Sequence, residues 1–292
     1  MAHGMTPRLS VCIPAYNAEP FLAEAIRSVL TQDFDEFELV IVDNASTDGT
    51  GRVAESFRDE RIRYFRNAVN IGAPANGNRC LELATAPYIK FLCSDDVFLP
   101  GLLKKQVALL DAYPAIGLAT CDMYVTDERL GNRRLAKFTQ GCCEGQAVVY
   151  RSLNAIQNFI GGPSNIMIRR SAIGALLVGE DYHWVGDLAF YCHILRGSRY
   201  GNIDEPGILY RRHPQAASHM ETSAAGKALE EFELIRELDA FTQVNAFKLL
   251  RRRIPLRCKA IVMRWLALNG WRMSLLGDSL REYRECCRSA IP

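Results

Sequence analysis

Three places in this chain put polar side chains directly after apolar runs, where they could do chemistry. The run Leu9-Ser-Val-Cys-Ile13 leads into Pro14-Ala15-Tyr16-Asn17, Phe37-Glu-Leu-Val-Ile-Val42 leads into Asp43-Asn44, and Tyr88 to Cys93 leads into Ser94-Asp95-Asp96. An aromatic ring such as Tyr16 stacks a nucleobase, and a lone carboxylate such as Asp43 accepts a base N–H. The pair Asp95-Asp96 suits a ribose hydroxyl and a hard divalent cation, which prefers carboxylate oxygen. Together they fit a nucleoside diphosphate bound through a metal. Each also has a plain reading: Asp43 or Asp48 as a helix cap, Asp95-Asp96 as a turn, Tyr16 as core. None decides alone.

These residues share a site only if the elements before them are strands of one sheet. The apolar runs are short and β-rich, and Phe37 to Val42 is the near-continuous pattern of a parallel strand covered on both faces. Between them lie helical patterns: one opened by Pro20 with Leu22, Ala25, Ile26, Val29 and Leu30 on one side, one carrying Val53 and Phe57, and others over Pro74–Ala84 and Pro100–Leu110. Further strands are expected at Ile62–Arg66, Ile116–Cys121, Ile166–Ile168 and Ile208–Arg211, and a helix at Asp187–Arg196. Strands alternating with helices of about ten residues indicate βαβ units and a mostly parallel sheet. In such sheets ligands bind beyond the carboxyl ends of the strands, where the polar clusters fall. Val125 to Gly145 shows no clear period and reads as loop or strand edge.

Several function classes drop out. No G-x-x-x-x-G-K-[ST] loop, no G-x-G-x-x-G after the first strand and no G-x-S-x-G elbow is present. The ten cysteines show no C-x-x-C spacing, so they read as reduced thiols rather than a zinc site or disulfide framework. The first residues lack signal-peptide character, and no apolar stretch is long enough to span a bilayer, which predicts a cytoplasmic protein. The net charge is +2, but eight basic and no acidic residues fall in 241–277, leaving the remainder acidic. Nothing suggests nucleic acid as a partner.

The ordered set of motifs resembles the family 2 glycosyltransferases, inverting enzymes with the GT-A fold. The matching segments are Ile13-Pro-Ala-Tyr-Asn17, Val40-Ile-Val-Asp-Asn-Ala-Ser-Thr-Asp-Gly-Thr50, Asn70-Ile-Gly72 and Asn78-Arg-Cys-Leu-Glu-Leu-Ala84. They continue through Tyr88-Ile-Lys-Phe-Leu92, Ser94-Asp-Asp96 with Pro100, Pro163-Ser164, Asp187 with its helix, and Tyr210-Arg-Arg-His-Pro214. The resemblance implies an α/β catalytic domain over about 8–221, with a donor half to about 124 and an acceptor half after it, preceded by a disordered 1–7 and followed by a helical region, 222–292. It implies that Pro14, Ala15, Tyr16, Asn17, Asp43, Asn78 and Asp95 hold the nucleotide sugar. Asp96 and His213 hold Mn2+ or Mg2+, and Asp187 is the general base. Two departures stand out: relatives carry an acidic residue where this chain has Cys93, and an Arg where it has Gly77, with Arg79 nearby.

Asp187 precedes Gly197 by ten residues, the spacing the resemblance asks of the catalytic carboxylate, whereas Asp181 precedes it by sixteen. Asp181 stays as the second choice. Either also reads as a carboxylate favoured by a helix N-terminus. The expected reaction is a single displacement that moves a sugar from a nucleoside-diphosphate donor, UDP-linked by preference, to a hydroxyl of a glycan or lipid-linked acceptor. The rivals are a sugar-phosphate nucleotidyltransferase, which normally needs a Gly-rich basic loop where Pro14 to Pro20 has neither, and a non-catalytic binding subunit. The apolar and basic mix of 241–277 must bury its apolar side on the main domain, on a second subunit of a homo-oligomer, or at the inner face of a membrane.

Overall fold

The computed structural model describes residues 6–155, 157–175 and 185–216, with single helical positions at 230, 234, 237 and 238. Asp181 and the basic segment 241–277 lie outside the described residues. The first half reads β1 (Leu9–Ala15), α1 (Leu22–Leu30), β2 (Phe37–Asp43), α2 (Thr50–Ser56), β3 (Ile62–Arg66), α3 (Ala73–Leu83), β4 (Tyr88–Phe91), β5 (Val97–Phe98) and α4 (Leu102–Ala112). The second half reads β6 (Ile116–Thr126), β7 (Arg134–Ala136), β8 (Cys142–Glu144), α5 (Gly145–Ala155), β9 (Met167–Arg169), α6 (Arg170–Ile173), α7 (Gly186–Arg196) and β10 (Arg199–Arg211), with a 3-10 turn at Pro163–Asn165 before β9.

One sheet runs in the order β3-β2-β1-β4-β9-β6-β10-β5, with β7 on β6 and β8 on β10. The four strands from β3 to β4 are parallel, β9 is antiparallel to both its neighbours, and β10 is parallel to β6. The alternation of side chains along the strands builds two cores. Val11, Ile13, Leu39 and Ile41 face Leu22, Ile26, Leu103 and Val107 of α1 and α4. Cys12, Val40 and Val42 turn to the other side, which carries Cys80 of α3, Val148 and Val149 of α5, and Phe190 and Leu195 of α7. Registry brings Ala15 level with Asp43, so the first two strands finish together.

The strands and helices expected between Leu9 and Arg211 are present, differing chiefly in extent, and the helical region expected over 222–292 lies outside the described residues apart from 230, 234, 237 and 238. β6 continues past Cys121 because the buried Asp122 accepts Phe138 N–H (3.1 Å) and Gln140 Nε2 (3.0 Å), so a carboxylate is satisfied in mid-strand. β10 starts nine residues before Ile208; Gly201, Pro206 and Gly207 hide it in the sequence, and its register shifts around Pro206. α5 has no counterpart in the sequence reading, since it opens on Gly145 and carries the β-branched pair Val148-Val149. The unpatterned 125–145 region holds the short edge strands β7 and β8. Among the described residues no helix is long and apolar enough to cross a membrane.

Candidate active site

At the carboxyl ends of β1 and β2 the chain is fastened by its own side chains. Asn17 takes a left-handed backbone (φ 48°), its N–H donates to Ser46 Oγ (2.9 Å), and its Oδ1 accepts Thr47 N–H (2.9 Å). Pro14 and Ala15 lie within the end of β1, and Ala15 is buried. Tyr16 is 48% exposed, so its ring stands clear of the core and the core reading fails. Asp43 is 0% exposed and accepts three donors: Ser46 N–H at 2.8 Å, Tyr64 Oη–H at 2.9 Å and Arg66 Nη1 at 2.6 Å. A carboxylate has about four acceptor positions, so one remains. Asp48, not Asp43, serves the start of α2, accepting Thr50 N–H (3.0 Å) and Glu19 N–H (3.1 Å).

Beside Asp43 runs an asparagine network. Asn67 Nδ2 donates to Asn44 Oδ1 (3.0 Å) and Asn76 Oδ1 (2.9 Å), Asn44 Nδ2 donates to Asn70 Oδ1 (2.8 Å), and Asn76 Nδ2 donates to Val42 O (3.1 Å). It pins the loop after β3 to the end of β2. Asn78 is buried two residues farther along α3, a helix that packs on β1 and β2. Arg79 points away into an exposed pair with Glu82 (2.7 Å).

The acidic loop after β4 is held from two directions. Asp96 is buried; Ser164 Oγ–H donates to its Oδ2 at 2.5 Å and Arg211 N–H to its Oδ1 at 3.0 Å. Ser164 Oγ in turn accepts Cys93 N–H (3.0 Å), and the fully buried Lys90 donates to Ser164 O (3.0 Å). Burial lowers the Lys90 ammonium to about 8. Arg211 also donates through Nε to Asp95 O (2.7 Å), reaches Glu24, and lies over the Phe21 ring. Asp95 Oδ2 faces His213 Nε2 at 2.9 Å, and His213 packs on Phe21.

Ligand atoms of Cys93, Asp95 and Asp96 all lie within 4.8 Å of one another. Burial first, and the adjacent Asp95 carboxylate second, push the Asp96 carboxyl upward. His213 is buried, and its Nδ1 has no partner among the described residues. A cation reverses the like-charge penalty, so two carboxylates and a buried imidazole fit a divalent ion. Asp95 faces His213, whereas both oxygens of Asp96 are already engaged.

Asp187 stands in the first turn of α7, where its Oδ1 accepts Leu188 N–H at 2.7 Å. Burial raises its carboxyl to about 6, against the lowering effect of that N–H. Its charge, after burial, helps raise the Tyr191 phenol, as does Cys93, which brings the start of α7 to the acidic loop. A carboxyl raised toward neutrality serves as a proton acceptor better than an ordinary one. The structure thus collects Ala15, Tyr16, Asn17, Asp43, Asp95, Asp96, Asp187 and His213 at the carboxyl-end edge of one sheet.

Residues 10–177 match the family described as Glycosyl transferase family 2. The chain belongs to glycosyltransferase family 2. An uncharacterized protein of Mycobacterium tuberculosis, MT1568, is 31% identical over 220 residues, 72% of this chain and 68% of the relative. The GalNAc(5)-diNAcBac-PP-undecaprenol beta-1,3-glucosyltransferase of Campylobacter jejuni is 37% identical over 33% of this chain and 32% of its own length. This family 2 chain spans less than half the length of several such relatives. Among solved structures, Staphylococcus aureus TarS 1–349 in complex with UDP aligns with a TM-score of 0.64 at 20% identity, covering 97% of this chain and 92% of that one. The mannosyltransferase PcManGT of Pyrobaculum calidifontis, in complex with GDP-Man and Mn2+, aligns at 0.60 with 20% identity over 97% and 80%. The fold is GT-A.

Sequence reasoning missed the residues that hold this candidate site together. Ser164 and Arg211 lie in the segments Pro163-Ser164 and Tyr210-Arg-Arg-His-Pro214, but nothing local marks them as partners of Asp96, 68 and 115 residues away. Tyr64 and Arg66 alternate along β3 and so share a face, which is the one signal that they could both reach Asp43.

Proposed function

We propose that this family 2 glycosyltransferase transfers a sugar, with inversion, from a nucleoside-diphosphate donor to a hydroxyl of a glycan or lipid-linked acceptor. The observation that carries the reading is the meeting, at one sheet edge, of a carboxyl poised near 6 and an acidic pair whose partly exposed member, Asp95, faces a histidine. Asp187 takes the proton as the acceptor oxygen attacks the anomeric carbon from the face opposite the leaving diphosphate. One displacement inverts the configuration without a sugar–enzyme bond. At about 6 its pKa still leaves Asp187 largely ionised at neutral pH while making it a stronger base than a solvated aspartate.

Tyr16 stacks the base, and Pro14, Ala15 and Asn17 form the turn beneath it. Asp43 offers its remaining acceptor position to a base N–H, with Arg66 beside it as a donor. Uracil presents such an N–H flanked by carbonyls, which favours a UDP-sugar. Asn78 supports the donor from α3, and Asp95 approaches its ribose. Asp96 and His213, with Asp95 beside them, would hold the divalent ion, Mn2+ or Mg2+, which would supply charge stabilisation to the leaving diphosphate.

The lipid-linked option draws on relatives such as the undecaprenol-linked glucosyltransferase above. Membrane contact through 241–277 belongs to the same proposal, and co-sedimentation with anionic but not neutral vesicles, weakened by salt, tests it. The central test is thermal unfolding with UDP and GDP, each with and without Mn2+. A ligand at 100 times its Kd stabilises by roughly 2.7 kcal/mol. No stabilisation by any nucleoside diphosphate removes the donor assignment.

A further inference from the structure

The helix that carries Asp187 lacks a cap of its own. Its N-cap residue is Val185, whose side chain has no acceptor, and Gly186 in the first helical position leaves the backbone loosely determined. A glutamate three residues after the N-cap commonly reaches back to the N-cap amide, but that position is Leu188. The missing acceptor comes from 45 residues along the chain, where Glu230 Oε2 accepts Val185 N–H at 3.2 Å. Glu230 is partly buried and is followed by the helical positions 234, 237 and 238, the spacing of one helical stripe. Leu234 and Leu238 are fully buried in the core that also takes in Val185, Ala189 and Cys192. Near the other end of α7, His193 Nε2 meets Glu237 Oε1 at 2.9 Å. The stripe thus touches α7 at both ends. We propose that it is a brace on α7, and that Glu230 is the positioning residue that fixes Asp187, two residues beyond the amide it holds.

The inference rests on the assignment of Asp187 as general base given above and adds the group that aims it. Asp187 Oδ1 is engaged by Leu188 N–H at 2.7 Å, so the carboxylate moves with the first turn of α7. An acceptor on Val185 N–H sets where that turn begins. Without it, an apolar N-cap followed by glycine has several ways to start the helix, and each carries Asp187 to a different place. A shift of about 1 Å from a catalytic geometry costs on the order of 100-fold in rate. By holding the turn closed, the brace also keeps Asp187 from water. Burial is the first cause of its pKa of about 6, ahead of the opposing pull of nearby amides. The groups that feel its charge, Cys93 of the acidic loop and Tyr191 and Cys192 of α7, are themselves pushed upward and so are uncharged near neutrality. Among the described residues, the charged groups that the stripe brings to α7 are Glu230 and Glu237. A looser start to α7 should therefore lower the Asp187 carboxyl toward the ordinary value of about 3.9.

Carbon-13 magnetic resonance of carboxyl-labelled aspartate measures the Asp187 midpoint in the full chain without a donor, the signal being identified by its loss in Asp187→Asn. Glu230→Gln keeps an acceptor for Val185 N–H and removes the charge. Glu230→Ala removes both, and Glu230→Met takes its place if that variant does not fold. The expected midpoint is about 6 in the wild type and in Glu230→Gln, and lower by about one pH unit or more in Glu230→Ala or Glu230→Met. Glu237→Gln, which cuts only the far contact, should leave the midpoint in place. In parallel, UDP release from UDP-glucose with water as acceptor should show kcat lower by about 10- to 100-fold in Glu230→Ala, with KM unchanged and turnover restored in Glu230→Gln. Where UDP-glucose is not turned over, the midpoint alone decides. An unmoved midpoint in a folded Glu230→Ala or Glu230→Met protein, or an equal fall in Glu230→Gln, overturns the brace. Full turnover in Asp187→Asn would remove the base reading instead, and a midpoint that still moves in Glu230→Ala would leave the brace standing.

Discussion

The two halves of the site edge treat their polar groups in opposite ways. On the side of β1, β2 and β3, hydrogen-bonding capacity is spent locally: Asp43 has three donors, Asp48 serves two backbone amides, and the asparagines bond one another. On the side of β4, α7 and β10, groups are held in states they would not choose in water. Asp187 and Asp96 are raised by burial, Lys90 is lowered, and one nitrogen of His213 lacks a partner among the described residues. The first arrangement holds its loops rigidly, and the second stores tension that the proposed proton transfer and ion binding would relieve. Substitutions on the first side should therefore cost folding, and those on the second should cost function while leaving folding intact or improved.

The largest effect should come from Asp187→Asn. The amide is nearly isosteric but accepts no proton, so kcat should drop by about 10²–10⁴-fold with donor affinity retained. Near wild-type turnover in this variant, with Asp181→Asn inactive, would move the base to Asp181. In the wild type, kcat should decline as pH falls through about 6, because the base must be ionised.

Next in size is the acidic pair. Asp95→Ala and Asp96→Ala should each remove the Mn2+-dependent part of UDP binding, measured by calorimetry with and without chelator. Persistent metal dependence in either would take that carboxylate out of the ion's environment. Asp43→Ala tests the opposite side. It strands Tyr64, Arg66 and the Ser46 amide, and should cost about 3 kcal/mol in denaturant unfolding, the low end for a broken buried pair, because Arg66 still reaches water. A stable Asp43→Ala protein would break the contrast.

The smallest effect carries the opposite sign. Asp187 is raised from the usual carboxylate value to about 6, so its ionisation weakens the fold, and that cost appears as pH rises through the interval. Asp187→Asn should then melt a few degrees above the wild type at pH 7 to 8, with the gap closing below pH 4. A lower melting temperature for the variant at pH 7 would mean that the ionised carboxylate stabilises the fold.

The contrast also explains what the sequence made legible. Periodicity disclosed the strands of the receptor side because Phe37 to Asp43 is one unbroken buried run. Strand-end position then disclosed Asp43 and Asp95-Asp96. The other side resisted: β10 is cut by Gly201, Pro206 and Gly207, and α5 begins with glycine and valines. The holding residues were harder still, since Ser164 and Arg211 act across more than sixty residues of chain and nothing in their neighbours signals it. Asp187 and His213 came from resemblance, and their burial became apparent only in three dimensions.

The excursion from α7 through β10 begins at Asp187 and returns at Arg211 and His213. A nascent chain that has emerged only through β5 carries Asp95 and Asp96 side by side, with neither Ser164 nor Arg211 to receive them. Domains form from the amino end at a synthesis rate of roughly 5–20 residues per second. The receptor side can therefore close on the ribosome several seconds before the acidic pair is received by Ser164 and Arg211. The acidic pair is thus received only after more than seven tenths of the 292 residues have been translated.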